Sequence, residues 1–159
     1  MSPRIIAATE DHAREIAPRM RDCDVDEVFA ASGRGRLSSL LYSLSRSDFA
    51  QTLEIDGRPE SLFGCGTVNV MGNVGAPWLL GSDALERNAR FFLRESRLWI
   101  DRMRTHYAVL RNVVDDRNTV SKRWLEWLGF TLSEPHPYGY ERRPFRTFEM
   151  KGLPWVISD

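Results

Sequence analysis

The sequence predicts a single mixed α/β (α+β) domain, in which helices flank a mixed, mainly antiparallel sheet. Two patterns predict it: three strand-like runs separated by turn signals between residues 49 and 80, and a second half that alternates helix and strand. The 159 residues match the usual length of one domain. We assign residues 1–152 to this domain and residues 153–159 to a short C-terminal tail.

The first third of the chain predicts one strand and three short helices. Ile5–Ala8 is an apolar run that can form a strand, and Thr9 follows it as a candidate N-cap with two acids in the next turn. Pro18 lies inside the apolar periodicity of this first helix, so the helix must be short or kinked. Apolar spacing predicts two further helices, over residues 24–31 and 37–45.

The middle of the chain predicts an antiparallel meander. Three strands are expected over residues 49–55, 61–70 and 76–80. Asp56-Gly57 is a hairpin-turn dipeptide in which the glycine supplies a positive φ. A second turn, around Gly72, separates the last two strands.

The second half predicts a long helix, a buried strand, a shorter helix and a final strand pair. The expected ranges are 84–106, 107–114, 119–128, 130–133 and 145–150, with a Pro-rich segment over 135–144. Asp83 is the expected N-cap of the long helix. Gly129 is expected to end the shorter helix, since glycine readily takes the left-handed conformation there.

The composition excludes several function classes. Lys plus Arg and Asp plus Glu both number 22, and this balance disfavours coating nucleic acid or an anionic membrane. Cys23 and Cys65 stand in no metal-ligand pattern with the three histidines, so we expect no metal site. The apolar run near the N-terminus is too short for a signal peptide, and no run is long enough to span a membrane.

The block around Asn118 resembles the last third of a GCN5-related N-acetyltransferase (GNAT) domain. Asn118, Ser121, Leu125 and Gly129-Phe130 fall at the spacing that these enzymes often show, after a buried strand. The start of the chain, residues 5–12, is also similar to the first strand and helix of that superfamily. The resemblance implies a GNAT-like fold, acetyl-CoA as cofactor and transfer of the acetyl group to an amine.

A narrower resemblance covers roughly residues 22–151. Residues 75–83, the arginine-rich helix after them and residues 118–130 are similar to a family of tailed-phage proteins that includes the small internal virion protein of T7-like phages. This resemblance implies a phage or prophage protein that is non-catalytic and acts in the virion or on a phage or host protein. It also implies a location in the virion, the bacterial host cytoplasm or both.

The expected cofactor contacts follow from the superfamily resemblance and hold only if acetyl-CoA binds. They are Leu79, Leu80, Gly81, Ser82, Arg87, Asn118 and Ser121. Related enzymes open the long helix with a Gln/Arg-x-x-Gly-x-Gly/Ala loop, whose N–H groups hold the pyrophosphate. Here Gly81 is the one glycine left in that loop, and Asp83 and Glu86 would repel a phosphate.

No catalytic residue is predicted. Active members commonly place a tyrosine seven residues after the asparagine to protonate the leaving thiolate, and Leu125 occupies that position. Glu54 and Asp56 lie near a hairpin turn, where solvated carboxylates are expected. His106 ends the long helix, where its charge suits the helix dipole.

Several residues allow both a structural and a functional interpretation. Asn118 can contact the pantetheine arm or cap its helix, and the lost motifs favour the cap. Arg87, Arg90, Arg94 and Arg97 share one helix face, which is either solvated or a contact strip for an acidic partner or nucleic acid, the last ranking lowest.

The aromatic residues and the tail leave a similar choice. We expect Trp78 to form a cleft wall and Trp124 and Trp127 to pack in the core. The apolar tail around Trp155 either folds back or docks on a partner.

Two functions from different classes remain. The first is a non-catalytic phage protein with a degenerate acetyltransferase fold and no cofactor. The alternative is an active N-acyltransferase that uses acetyl-CoA through an altered loop, since this fold can catalyse by proximity without a dedicated acid.

Overall fold

A computed structural model describes residues 2–153. Its strands are β1 (Pro3–Ala7), β2 (Phe49–Ile55), β3 (Arg58–Asn69), β4 (Val74–Gly81), β5 (Val109–Asp115), β6 (Thr131–Leu132), β7 (His136–Tyr138) and β8 (Arg143–Lys151). Its helices are α1 (Glu10–Ile16), α2 (Asp22–Ser32), α3 (Arg36–Arg46), α4 (Ala84–Arg87), α5 (Ala89–His106) and α6 (Thr119–Leu128), with a 3₁₀ turn over Ala17–Arg19. The tail beyond Leu153, including Trp155, lies outside the described residues, so folding back and docking on a partner both stay predictions.

The strands form one mixed sheet in the order β1-β2-β3-β4-β5-β8-β6, with β7 added beside β8. Every neighbouring pair in it is antiparallel except β4 and β5, which run parallel. The prediction of a mainly antiparallel mixed sheet is confirmed.

The helices cover both faces of the sheet. Helices α1, α2 and α3 contribute to one apolar cluster, which is centred on Ile16, Leu40 and Leu62. Helices α5 and α6 lie on the opposite face, where Ile100 and Met103 pack with Leu110 of β5. Within the described residues, no helix is both long enough and apolar enough to cross a membrane.

Local signals account for the helix ends that were predicted. Thr9 caps α1 by accepting a hydrogen bond from the His12 N–H, and Pro18 falls in the 3₁₀ turn that ends this helix. Gly129 ends α6 with φ at 103°, a left-handed conformation that a glycine adopts without a steric penalty.

Three details of the predicted elements differ in the structure. The long helix is interrupted at Asn88, which has φ −120° and ψ 33°. Asp83 occupies the predicted N-cap position, at the start of α4, but its side chain makes no capping bond; the Ser82 hydroxyl accepts the Ala84 N–H at 3.2 Å. The Pro-rich segment contains strand β7, which pairs antiparallel with β8, and the turn at Gly139 between them packs against the end of α2.

Candidate active site: a cleft between two diverging strands

The candidate site lies where β4 and β5 separate. These two strands pair only at Val74 with Val109 and at Gly75 with Leu110, and then diverge. A cavity of about 360 Å³ fills the space between them. Side chains of α2 and α3 line one end and side chains of α5 and α6 line the other, so the cavity passes through the sheet.

Asn112 of β5 bridges the two strands just beyond their last pair. Its Nδ2 donates to the Pro77 carbonyl of β4 at 2.9 Å, and its Oδ1 accepts the Val113 N–H at 2.8 Å. One amide side chain therefore satisfies backbone groups of both strands that have lost their ladder partners. This bridge fixes the floor of the cleft.

Helix α2 spans the open ends of the same strands. Asp24 Oδ2 accepts the Gly81 N–H at the end of β4, at 3.0 Å. One turn later, Glu27 Oε1 accepts the Asp115 N–H at the end of β5, at 2.7 Å. Two acids three residues apart on one helix thus hold the diverged strand ends.

The loop after β4 is bound into the protein. Arg21 pairs with Asp24 through two hydrogen bonds, of 3.0 and 2.9 Å, and both side chains are about 2% exposed. The Arg21 N–H also donates to the Gly81 carbonyl at 2.8 Å. Ser82 donates its N–H to the Glu60 carbonyl and its hydroxyl to the Glu60 carboxylate. Gly81 and Ser82 therefore have no backbone N–H left for a phosphate, and neither lines the cleft.

A different set of N–H groups is open to an anion. No group in residues 2–153 accepts a hydrogen bond from the N–H groups of residues 89–91, which begin α5. The Asn88 side chain does not cap them, because its Nδ2 donates back to the Ala84 carbonyl at 2.8 Å. Phe92, three residues beyond Ala89, lines the cleft, so this helix end lies beside its mouth.

Exposed arginines surround that helix end. Arg87, Arg90 and Arg94 are exposed, and within residues 2–153 no carboxylate lies within 4 Å of their guanidinium groups. The strip of arginines that the sequence indicated is therefore present, and these three of its members form no ion pair within residues 2–153. Arg97 differs, since it stacks on Trp127 at 4.1 Å and donates to the Trp127 carbonyl at 3.0 Å.

The backbone of Leu79 faces the cleft. Backbone groups alternate in direction along a strand, and the Pro77 carbonyl and the Gly81 N–H both point away from β3. Leu79 lies two residues from each of them, so its N–H and carbonyl also point away from β3 and into the cleft. These two groups can pair with an extended amide ligand as a missing strand would.

Glu27 is the only carboxylate among the described residues that line the cleft. Burial raises its pKa from an ordinary 4.5 to about 8, against the opposing effect of the Asp115 N–H bond. Its Oε2 accepts no hydrogen bond from residues 2–153. Sequence reasoning missed this residue, because Glu27 looks like part of a solvated acidic helix face.

The position expected for a proton donor holds no donor. Leu125 lines the cleft there, as the sequence implied. The hydroxyls of Ser96, Ser121 and Tyr138 also line it. Neither serine hydroxyl has a hydrogen-bond partner within the described chain, so both can bind a ligand.

The predicted contact residues fall into two groups. Leu79, Leu80 and Ser121 line the cleft. Asn118 does not line it: the residue is 3% exposed and caps α6 by accepting the Ser121 N–H at 3.2 Å. The favoured cap is confirmed.

The three tryptophans considered from the sequence agree only in part with the roles predicted for them. Trp78 lines the cleft as expected, with its Nε1 donating to the Ser47 hydroxyl at 2.7 Å. Trp124 lines it as well and packs on Phe92, with ring centroids 4.9 Å apart. Trp127 is 51% exposed, so its predicted core role is wrong.

The other acids and the metal-ligating residues lie elsewhere. Glu54 pairs with Arg4 at 2.7 Å, and Asp56 accepts the Ser2 N–H at 2.8 Å, both away from the cleft. In residues 2–153, no three histidine, cysteine, aspartate or glutamate side chains form a group that could hold a metal ion.

No family model and no curated protein matches the chain in sequence. Solved structures match it closely in fold. A GNAT-family acetyltransferase from Streptococcus pneumoniae is 14% identical with a TM-score of 0.65, and the match covers 96% of this chain and 100% of that one. The fold is that of the GNAT acetyltransferases.

Two further GNAT-fold structures agree over the whole domain. An N-acetyltransferase from Staphylococcus aureus is 11% identical with a TM-score of 0.70, over 95% of this chain and 99% of that one. The ribosomal-protein-S18-alanine N-acetyltransferase from Escherichia coli is 14% identical with a TM-score of 0.66, over 96% of both chains. The predicted GNAT-like fold is confirmed, and the narrower resemblance to tailed-phage proteins stays a prediction.

Proposed function

We propose that the protein is an acyltransferase that moves an acetyl group from acetyl-CoA to an amine. One observation carries this proposal: the GNAT fold here keeps an open cleft that passes through the sheet between β4 and β5. A cleft open on both faces admits a cofactor from one side and an acceptor from the other, and holds them in line.

The residues present fit acetyl-CoA along the α5 and α6 side. The Leu79 backbone and the hydroxyls of Ser96 and Ser121 would hold the pantetheine arm. The free N–H groups at the start of α5, together with Arg87 and Arg90, would hold the phosphates. These groups take the place of the loop residues Gly81 and Ser82, whose N–H groups are engaged within the protein.

Acetyl-CoA supplies the thioester that an amine attacks, and the chain supplies the proton acceptor. Glu27 lines the cleft from α2, and its Oε2 is free to take the amine proton. With a pKa near 8, the carboxyl is mostly protonated at pH 7 and becomes a base as the pH rises. Leu125 donates nothing, so the proton that Glu27 takes from the amine is available to return to the leaving thiolate.

The test is an acetyl-transfer assay that follows release of the free thiol with a panel of primary amines. We expect turnover by the wild-type protein that rises with pH through about 8, following the pKa of Glu27. Glu27→Gln keeps an acceptor for the Asp115 N–H but cannot take a proton, so it should lose this pH dependence and at least tenfold in kcat. Turnover that is unchanged by this substitution would contradict the role of Glu27.

A non-catalytic binding protein is the second candidate. The engaged loop at Gly81 and Ser82 and the leucine at position 125 favour it. In this case the protein is a phage or prophage product that occurs in purified particles in fixed stoichiometry or binds a host protein. Mass spectrometry of purified particles tests the virion form, and absence from the particles would contradict it.

A further inference from the structure

A second pocket lies beside the cleft, on the outer side of α2. It has a volume of about 480 Å³. Its charged lining residues are Arg34, Arg36, Arg117 and Arg143, with Asp26 and Glu141. Four arginines against two acids give this pocket an excess of positive charge, although the whole chain is neutral.

Three of these arginines have no carboxylate partner. Within residues 2–153, no acid lies within 4 Å of the guanidinium groups of Arg34, Arg36 or Arg143, whereas Arg117 is tied to Asp115 at 2.6 Å. Arg34 stacks over the Tyr42 ring at 3.8 Å, an arrangement that positions its guanidinium without using its N–H donors. Arg36 donates to the Pro18 carbonyl at 3.1 Å. The pocket therefore holds positive charges that no carboxylate of the described residues neutralises.

Arg143 carries the strongest indication of a ligand. Its Nε is buried and has no hydrogen-bond partner in the described part of the chain. A buried donor left unsatisfied is costly, and buried polar groups in proteins are nearly always paired. A group that accepts hydrogen bonds at this position would satisfy the Nε.

Arg34 connects the second pocket to the cleft, because its side chain lines both. It follows Glu27 by seven residues, mostly along α2. Helix α2 ends at Ser32, and at a rise of about 1.5 Å per residue the backbone positions of Glu27 and Arg34 are separated by about 10 Å at most along the helix axis. This is the span of about three residues of extended peptide.

We infer that this pocket binds an anionic group of the acceptor, a carboxylate or a phosphate located about 10 Å from the amine that enters the cleft. The inference rests on the proposed acyltransferase function. It narrows the acceptor class to amines with a negative charge at about this distance, as on the third or fourth residue of a peptide whose N-terminal amine is acetylated. Arginine is suited to either anion, since its planar group forms paired hydrogen bonds with both.

The experiment is calorimetry with three peptide amides and no cofactor: Ala-Gly-Asp-Glu, Ala-Gly-Asn-Gln and Ala-Gly-phosphoserine-Gly. We expect the wild-type protein to bind at least one anionic peptide tenfold or more tightly than the neutral one. The tighter of the two anionic peptides identifies the preferred anion. Arg143→Gln and Arg34→Gln should each reduce the preference to threefold or less. Arg58→Gln, an exposed arginine in the β2–β3 hairpin, should leave it unchanged.

Two results would overturn the inference. One is equal binding of all three peptides, or a preference that survives both arginine substitutions. The other is competition between acetyl-CoA and the anionic peptide, which would assign the pocket to the cofactor. If the anionic peptides bind through Arg143 but no acetyl transfer occurs to any amine, the anion pocket stands and the proposed function fails.

Discussion

Asp24 and Glu27 lie one turn apart on α2, and each accepts a backbone N–H from a different strand of the cleft. Asp24 holds the end of β4 at Gly81, and Glu27 holds the end of β5 at Asp115. The separation of the two strands is therefore fixed by a helix from the first third of the chain. The same contacts place a carboxyl group of raised pKa against the cleft.

Glu27 should make the stability of the protein depend on pH. Its pKa is raised from 4.5 to about 8 in the folded state, so the folded protein holds a proton that the unfolded chain releases. The contribution of Glu27 to the free energy of unfolding is then fully present below pH 4.5 and falls between pH 4.5 and about 8, by at most about 1.4 kcal/mol per unit. Urea unfolding of the wild type and of Glu27→Gln at pH 5, 6.5 and 8.5 measures this, and parallel curves would contradict it.

Asn112 should contribute to stability through its bridge. Asn112→Ala leaves the Pro77 carbonyl and the Val113 N–H without their partners, and we expect a loss of about 1–3 kcal/mol. Asn69→Ala is the matched control, since it removes an exposed hydrogen bond in the β3–β4 turn. Denaturant unfolding compares the two variants, and equal losses would show that the bridge has no special role.

Gly75 should tolerate no side chain at the point where the strands separate. A Cβ there would lie 2.7 Å from the Tyr107 ring and 2.8 Å from the Cys65 sulfur. We expect Gly75→Ala to cost about 1–3 kcal/mol, because overpacking forces neighbouring groups to move. Gly72→Ala has only ordinary contacts, the closest at 3.4 Å, so its thermal unfolding midpoint should stay within about 2 °C of wild type. An equal shift for both variants would contradict this packing account.

Arg87 at the end of α4 and Arg90 in the first turn of α5 should strengthen cofactor binding by charge. Arg87→Gln and Arg90→Gln should each raise the Kd for acetyl-CoA three- to tenfold, with the difference shrinking at high salt because exposed charges are screened. Calorimetry at 50 and 500 mM salt measures both effects. The same titration of Arg58→Gln should match wild type, and a weakening there of similar size would show that the effect is not local.

The sequence predicted most of the fold because its signals are local. Apolar periodicity, Pro18 and Gly129 act within a few residues, and the structure confirms the elements that they define. The break at Asn88 was missed because residues 84–106 have an unbroken helical pattern. Strand β7 was missed because it is only three residues long and has Pro137 at its centre, so its sequence carries little strand signal.

The site was harder to predict because its contacts are remote in sequence. Asp24 meets Gly81 across 57 residues, and Glu27 meets Asp115 across 88. The superfamily resemblance indicated Gly81 and Ser82 as phosphate contacts. It could not show that their backbone N–H groups already donate to the Asp24 carboxylate and the Glu60 carbonyl. Asn112 gave one usable signal, a polar residue in the middle of an apolar strand.

The most direct test of the cofactor cleft is calorimetry with acetyl-CoA on wild type, Leu79→Val and Leu79→Pro. Both substitutions reduce side-chain packing, but only proline removes the N–H that faces the cleft. Pro77, two residues earlier and facing the same way, shows that β4 accommodates a proline in this orientation. We predict micromolar binding by wild type and by Leu79→Val, with binding weakened tenfold or more in Leu79→Pro. No binding by wild type at millimolar acetyl-CoA, or equal binding by all three proteins, would contradict the account.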